Sequence, residues 1–184
     1  MSQARERLLE TAGRLFHERG YECVGINEII ATAEIAKATF YQHFPGKEAL
    51  CAAWLRREAE ESEKGQRELL AEDRPVAGKV AAKFDGMAAM LADEGFHGCP
   101  FCVTATMVSA DSEVTAVIRA FREATRAFWQ KLAAASGRKP AAARDLGDAW
   151  MLLYTGAITE ARNLGSVWPV EQARKAALRL LAAA

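Results

Sequence analysis

The chain has 184 residues, of which 24 are basic and 24 acidic, so its formal net charge is zero, and half of the residues are hydrophobic. That length holds one domain, or a small domain fused to a larger one, with a sizeable core. No run of 18 apolar residues could span a membrane and the charged N-terminus lacks the apolar stretch of a signal peptide, so we expect a cytoplasmic protein with reduced thiols.

Alanine-rich segments with apolar residues at helical spacing, and the lack of strand-forming runs, predict an all-α protein. The first helix is predicted from about Gln3 to Arg19, with Ser2 capping its start and Gly20 ending it in the left-handed conformation. Two short helices follow, over Ile26–Thr32 and Lys37–His43. The N-terminal part is therefore predicted to be a three-helix domain.

A long helix is predicted from Lys47 to a break at Asp73-Arg74-Pro75. Further helices are expected over Val76–Asp93, Phe101–Ala110, Glu113–Ala135, Ala141–Leu164 and from Pro169 onward, with a loop at Gly95–Pro100. We predict that residues 1–47 form the N-terminal domain and residues 48–184 a helical C-terminal domain, with helix 47–72 as the link.

The segment 24–47 predicts two short helices joined by a tight turn and closed by Pro45-Gly46. The second helix is small and polar on one side, while Phe40 and Phe44 are expected to pack inward. This is the build of a helix-turn-helix, whose second helix lies in the major groove of DNA. Double-stranded DNA is thus the predicted partner.

Seven residues are candidates for DNA contacts: Lys37, Ala38, Thr39, Tyr41, Gln42, His43 and Lys47. Lysine, hydroxyl and ring N–H groups suit phosphates, whereas Gln42 can pair with adenine, and Ala38 and Thr39 can contact a thymine methyl. Three alternatives stay open: Tyr41 is partly core, His43 caps a helix end, and the lysines are solvated surface charges.

The charge near these residues is only locally basic. The first 57 residues carry eight lysines and arginines against seven acids, but the stretch from Ile35 to Lys47 carries two lysines and no acid. We therefore expect a small phosphate-facing patch and weak non-specific binding at physiological salt.

The run A-K-A-T-F-Y-Q-H-F-P-G-K-E-A-L, residues 36–50, resembles the signature of the tetracycline-repressor (TetR) family of bacterial transcriptional regulators. The resemblance implies an N-terminal DNA-binding domain, a C-terminal domain for ligand binding and dimerisation, and repression that a small molecule relieves.

The departures from the family pattern also predict local structure. The family usually has Ser or Thr near Val24-Gly25, Gly at Glu34, Ser at Ala36 and Gly at Ala38. A missing cap costs about 1 kcal/mol, and Glu34 is expected in a left-handed turn that costs about 1 kcal/mol more. The hydroxyl absent at Ala36 is also a common phosphate contact in the family.

The last two helices carry more apolar residues than one core-facing stripe needs. Two such helices from each subunit would form a four-helix interface, so we predict a homodimer through them. The alternative is that both helices pack wholly within one subunit.

Large, adaptable side chains on the C-terminal helices predict a pocket for a small apolar or aromatic effector. The candidates are Phe84, Met87, Met90, Phe96, Phe101, Met107, Phe121, Trp129, Trp150 and Tyr154. For each of them, ordinary core packing is the alternative.

Cys99 and Cys102 stand in C-x-x-C spacing, which suits a structural role, a reversible disulfide or half of a metal site. A metal site would need His97 and Cys51 to lie nearby, and Cys23 is expected to be packed.

No cofactor is predicted, and the chain lacks the nucleophile, phosphate-loop and metal motifs of enzymes. We predict a dimeric repressor that a small hydrophobic effector releases from operator DNA. The alternative is a thiol-switch or metal-responsive regulator on the same scaffold.

Overall fold

The computed structural model describes residues 2–92 and 97–183. Their helices are α1 (Gln3–Arg19), α2 (Ile26–Thr32), α3 (Lys37–His43), α4 (Lys47–Ala71), α5 (Val76–Leu91), α6 (Pro100–Ala105), α7 (Glu113–Ala134), α8 (Pro140–Leu164) and α9 (Trp168–Ala182). No strand occurs in these two ranges, which confirms the all-α class. None of the helices described is long and apolar enough to cross a membrane.

Most helix bounds agree with the sequence prediction, and those of α1, α2 and α3 are confirmed residue for residue. Asp93, the predicted end of α5, and the pocket candidate Phe96 lie outside the described residues. The prediction for α6 was wrong, because the helix ends at Ala105 rather than Ala110. The Thr106 hydroxyl donates to the Val103 carbonyl at 3.0 Å, a local bond that competes with continued helix.

Both ends of α1 are set by the residues expected there, although one conformation differs. The Ser2 hydroxyl accepts the Arg5 backbone N–H at 3.3 Å, so the predicted cap is confirmed. Gly20 has φ +86° and ψ 151°, a positive φ that suits glycine, but its ψ is extended rather than left-handed helical as predicted.

One packing unit comprises α1 to α3, α4 as far as Glu61, and the segment Cys99–Phe121. Its core is apolar and continuous, and Phe16 of α1 lies in it beside the Trp54 ring at 5.9 Å. The first half of α4 and all of α6 therefore pack with the three N-terminal helices.

The other packing unit comprises the described residues of segments 62–98 and 122–184. Here the buried Trp150 indole N–H of α8 donates to the Ala177 carbonyl of α9 at 2.9 Å. A Cβ on Gly147 would lie 2.6 Å from the Gln130 Cα, so glycine is required for the close approach of α8 to α7.

Candidate nucleic-acid interface

A tight turn sets the angle between α2 and α3. The Ile35 N–H donates to the Ile30 carbonyl and the Glu34 N–H to the Ala31 carbonyl, both at 3.1 Å, which is the bonding pattern of a Schellman motif. Glu34 takes φ +51°, so the left-handed conformation expected there is confirmed. The Glu34 carboxylate pairs with Arg7 of α1 at 3.2 Å, which ties this turn to α1.

The two sides of α3 differ as the sequence predicts. Phe40 and Phe44 are buried, with ring centroids 6.3 Å apart, and they anchor the helix in the core. Lys37, Ala38 and Gln42 are exposed, and Thr39 is half-buried. The side that would contact bases is therefore accessible to solvent.

The remaining DNA-contact candidates make contacts inside the unit. Tyr41 is 48% exposed and packs edge-on against Phe40 at 5.1 Å. The His43 Nε2 lies 3.0 Å from the Ser2 hydroxyl. Lys47 donates to the Tyr21 carbonyl at 3.0 Å and lies 4.3 Å from the centre of the Tyr21 ring. Because an ammonium has three donors, this bond leaves Lys47 capacity for a phosphate.

Sequence reasoning missed Arg5 as part of this surface. Its guanidinium lies 5.4 Å from the Phe44 ring centre, so the start of α1 brings a positive charge to the end of α3. The contact joins residues 39 positions apart, and helical periodicity does not indicate which helix ends meet. The missing caps are confirmed: neither Gly25 before α2 nor Ala36 before α3 provides a side-chain cap.

The other packing unit carries an apolar groove between α8 and α9, which we call the α8–α9 groove. Its volume is about 930 Å³. It is lined by Ala149, Leu152, Leu153, Gly156, Ala157, Glu160, Leu164, Trp168, Pro169, Gln172, Ala173, Ala176, Arg179, Leu180 and Ala183. Leu152 is 72% exposed and Trp168 57%, although both are large and apolar.

The predicted effector residues fall into two sets. Phe101 and Phe121 stack at 3.6 Å in the unit of α1 to α3, which also contains Met107. In the other unit Met90 is 43% exposed. The rest of that unit's candidates, Phe84, Met87, Trp129, Trp150 and Tyr154, lie on α5, α7 and α8. None of the nine described candidates lines the α8–α9 groove.

The four cysteines occupy different environments. Cys51 is buried, and burial raises the pKa of its thiol to about 12. Cys23 is exposed, so the prediction that it is packed was wrong. Cys99 precedes α6 and Cys102 lies in its first turn, and both are half-buried. No three His, Cys, Asp or Glu side chains in the described ranges come together as a metal site.

A polar, solvent-facing helix after a Schellman turn, on a chain that continues into a second helical unit, defines a helix-turn-helix regulator. A family profile described as "Bacterial regulatory proteins, tetR family" matches residues 8–54. A second, "Transcriptional regulator LmrA/YxaF-like, C-terminal domain", matches residues 76–176, more than half of the chain. The chain belongs to the TetR family of bacterial transcriptional regulators.

Two curated relatives match the N-terminal region. The transcriptional repressor NemR of Escherichia coli K12 is 43% identical over 53 residues, which are 29% of this chain and 27% of NemR. The repressor DhaR of Mycobacterium sp. strain GP1 is 44% identical over 45 residues, 24% and 23% of the two chains. These matches span about a quarter of each relative.

Solved structures match nearly the whole chain. SCO4454, a TetR-family transcriptional regulator from Streptomyces coelicolor, has a TM-score of 0.83 and 27% identity, with 99% of this chain and 88% of that one covered. The reduced form of E. coli NemR has a TM-score of 0.86 at 22% identity, over 96% and 95% of the two chains. The match to NemR shows that the two proteins share a fold.

Proposed function

We propose that this chain is a repressor that acts as a homodimer. The α3 helix of each protomer would enter the major groove of operator DNA, and a small apolar effector bound in the unit of α5 and α7 to α9 would release it. The observation that carries the proposal is the α3 surface: accessible polar side chains, no acid within the helix, and two buried phenylalanines that hold it.

The roles proposed for α3 divide between base and phosphate contacts. Gln42 and Thr39 would contact base edges, and removing a bidentate Gln contact costs roughly 1–3 kcal/mol per half-site. Lys37 would contact a phosphate, so Lys37→Ala should weaken binding to every sequence and lower the salt slope by about 1 per half-site. Arg5 and Lys47 would add backbone contacts at the ends of the same surface.

The test is a mobility shift of the DNA upstream of the protein's own gene, at low salt and over a salt series. Gln42→Ala should lose discrimination against competitor DNA, whereas Lys37→Ala should keep it. Lys64→Ala, an exposed lysine on α4, is the matched control and should bind like the wild type. Absence of any shift by the wild-type protein at low salt would overturn the proposal.

The α8–α9 groove supports the dimer. Burying a leucine fully contributes about 1.5–3 kcal/mol. A two-fold interface would gain this contribution from Leu152 of both protomers. A dimer supplies the two recognition helices that successive major grooves require, about 34–36 Å apart. We propose that the second protomer packs against this groove, because its exposed apolar side chains form one continuous surface.

Light scattering tests the dimer on a protomer of 20.1 kDa. Leu152→Glu should reduce the measured mass from that of two protomers to that of one, and operator binding should weaken with it. Met90→Glu is the matched control, because Met90 is exposed and apolar but lies outside the groove. A wild-type protein that is monomeric at all concentrations would contradict the dimer.

A thiol switch is the second candidate function, and the placement of Cys99 and Cys102 favours it. Cys99 precedes α6 with an extended backbone, and Cys102 lies in the first turn of that helix. Oxidation of both thiols to a disulfide by peroxide would tie the residue before α6 to its first turn, beside Phe101, which stacks on Phe121. If Cys99→Ser and Cys102→Ser release DNA with peroxide as the wild type does, this candidate is removed.

A further inference from the structure

Two buried polar groups of α7 have no partner in the described residues. Trp129 is fully buried, and its indole N–H makes no hydrogen bond there. The Thr125 hydroxyl, one turn earlier on the helix, is buried and equally unsatisfied. Buried donors are normally paired, and an unmade bond costs free energy. Two such groups on one side of a helix indicate an absent acceptor.

A cation lies against the same part of α7. The Lys83 ammonium of α5 is 5.8 Å from the Phe128 ring centre and 5.5 Å from that of Tyr154. None of the ion pairs formed among the described residues includes Lys83, and burial lowers its pKa. A partly desolvated cation without a carboxylate is costly unless an anion joins it.

These groups form one cluster on three helices. Thr125, Phe128 and Trp129 stand at positions i, i+3 and i+4, so they share one face of α7. The Tyr154 ring of α8 lies 5.5 Å from the Trp129 ring and 5.5 Å from the Lys83 ammonium. The cation and the Trp129 ring therefore lie against the same aromatic ring, and the Thr125 hydroxyl lies one helical turn before Trp129 on the same face of α7.

We propose that Lys83, Trp129 and Thr125 bind the carboxylate of the effector, which is then a hydrophobic organic acid. This inference rests on the proposed function and narrows the effector class. The ammonium supplies the countercharge, and the indole N–H and the hydroxyl each donate to a carboxylate oxygen. The surrounding aromatic rings would contact the apolar body of the acid. A neutral isostere leaves the Lys83 charge uncompensated.

Calorimetric titration of the DNA-free protein with matched acids and amides tests the proposal. The probes are benzoate and benzamide, 2-naphthoate and 2-naphthamide, and octanoate and octanamide. At least one acid should bind about tenfold or more tightly than its amide, since a charge-assisted bond is worth more than a neutral one. Equal affinities within all three pairs, or no binding of any acid, would overturn the proposal.

Variants assign the preference to individual groups. Lys83→Met should abolish the preference for the acid, whereas Trp129→Phe and Thr125→Val should each reduce it about three- to tenfold. Lys131→Met, an exposed lysine on α7, is the matched control and should retain the full preference. Lys83→Gln replaces Lys83→Met if the latter does not fold. A preference that survives both Lys83 variants would contradict the assignment.

A stability measurement separates ligand binding from a structural role of Lys83. Without ligand, Lys83→Met should unfold at the same temperature or a higher one, because the substitution removes a cation that lacks an ion-pair partner. A clearly lower temperature would indicate that the cation stabilises the fold itself, and would count against the proposal. The mobility shift tests the repressor function, and the calorimetric titration tests the carboxylate site. A failure of one proposal can therefore be distinguished from a failure of the other.

Discussion

Gly147→Ala is expected to destabilise the protein although alanine is the better helix former. The added Cβ would lie 2.6 Å from both the Cα and the backbone nitrogen of Gln130. Because favourable carbon contacts begin near 3.5 Å, α7 and α8 would have to separate by about 1 Å. Overpacking of this kind costs roughly 1–3 kcal/mol, and backbone atoms cannot move aside as a flexible side chain can.

Gly86→Ala is the matched control, because a Cβ at this position in α5 meets nothing within 4 Å. There the gain in helix propensity of about 1 kcal/mol should appear alone. At Gly147 the same gain offsets part of the clash, which leaves a net loss of up to about 2 kcal/mol. The two variants should then differ by about 1–3 kcal/mol in the free energy of unfolding, which is the cost of the clash.

Thermal unfolding followed by circular dichroism measures this difference. With about 2–4 °C per kcal/mol for a chain of this size, the midpoints of the two variants should lie roughly 2–12 °C apart. Protein concentration must be held equal, since dimerisation makes the midpoint depend on it. A Gly147→Ala protein that unfolds at or above the temperature of the Gly86→Ala protein would refute the reasoning.

Three further predictions concern acid stability, capping and thiol reactivity. The hydrogen bond and charge of Arg126 lower the pKa of Asp148 to about 2. The stabilisation that the pair provides is therefore complete above about pH 5 and is lost as the pH falls toward 2. An Asp148→Asn protein should show a shallower fall of the unfolding temperature across that window. Ala36→Ser should raise stability by about 1 kcal/mol in denaturant unfolding, because Ala36 has the extended backbone of a cap residue; an unchanged midpoint would contradict this. In the native protein iodoacetamide should label the exposed Cys23 and leave the buried Cys51 unlabelled until unfolding, as peptide mass mapping can establish.

The helix-turn-helix could be predicted from sequence because its determinants are local. The apolar residues that place Phe40 and Phe44 inward lie within one helix, and the turn that forces Glu34 into a positive φ is made by residues within five positions of each other. Caps and periodicity act over similarly short distances. Local rules therefore predicted the bounds of α1 to α3 and the exposed side of α3.

The remaining findings depended on which surfaces meet, and local patterns carry no such information. The nine described pocket candidates looked alike in sequence, but folding divided them between two packing units. The Arg5–Phe44 and Lys47–Tyr21 contacts join residues far apart in the chain. The unpaired indole N–H of Trp129 could be found only in three dimensions, as could the contact of Lys83 with Tyr154. Whether a polar group has a partner depends on every helix around it.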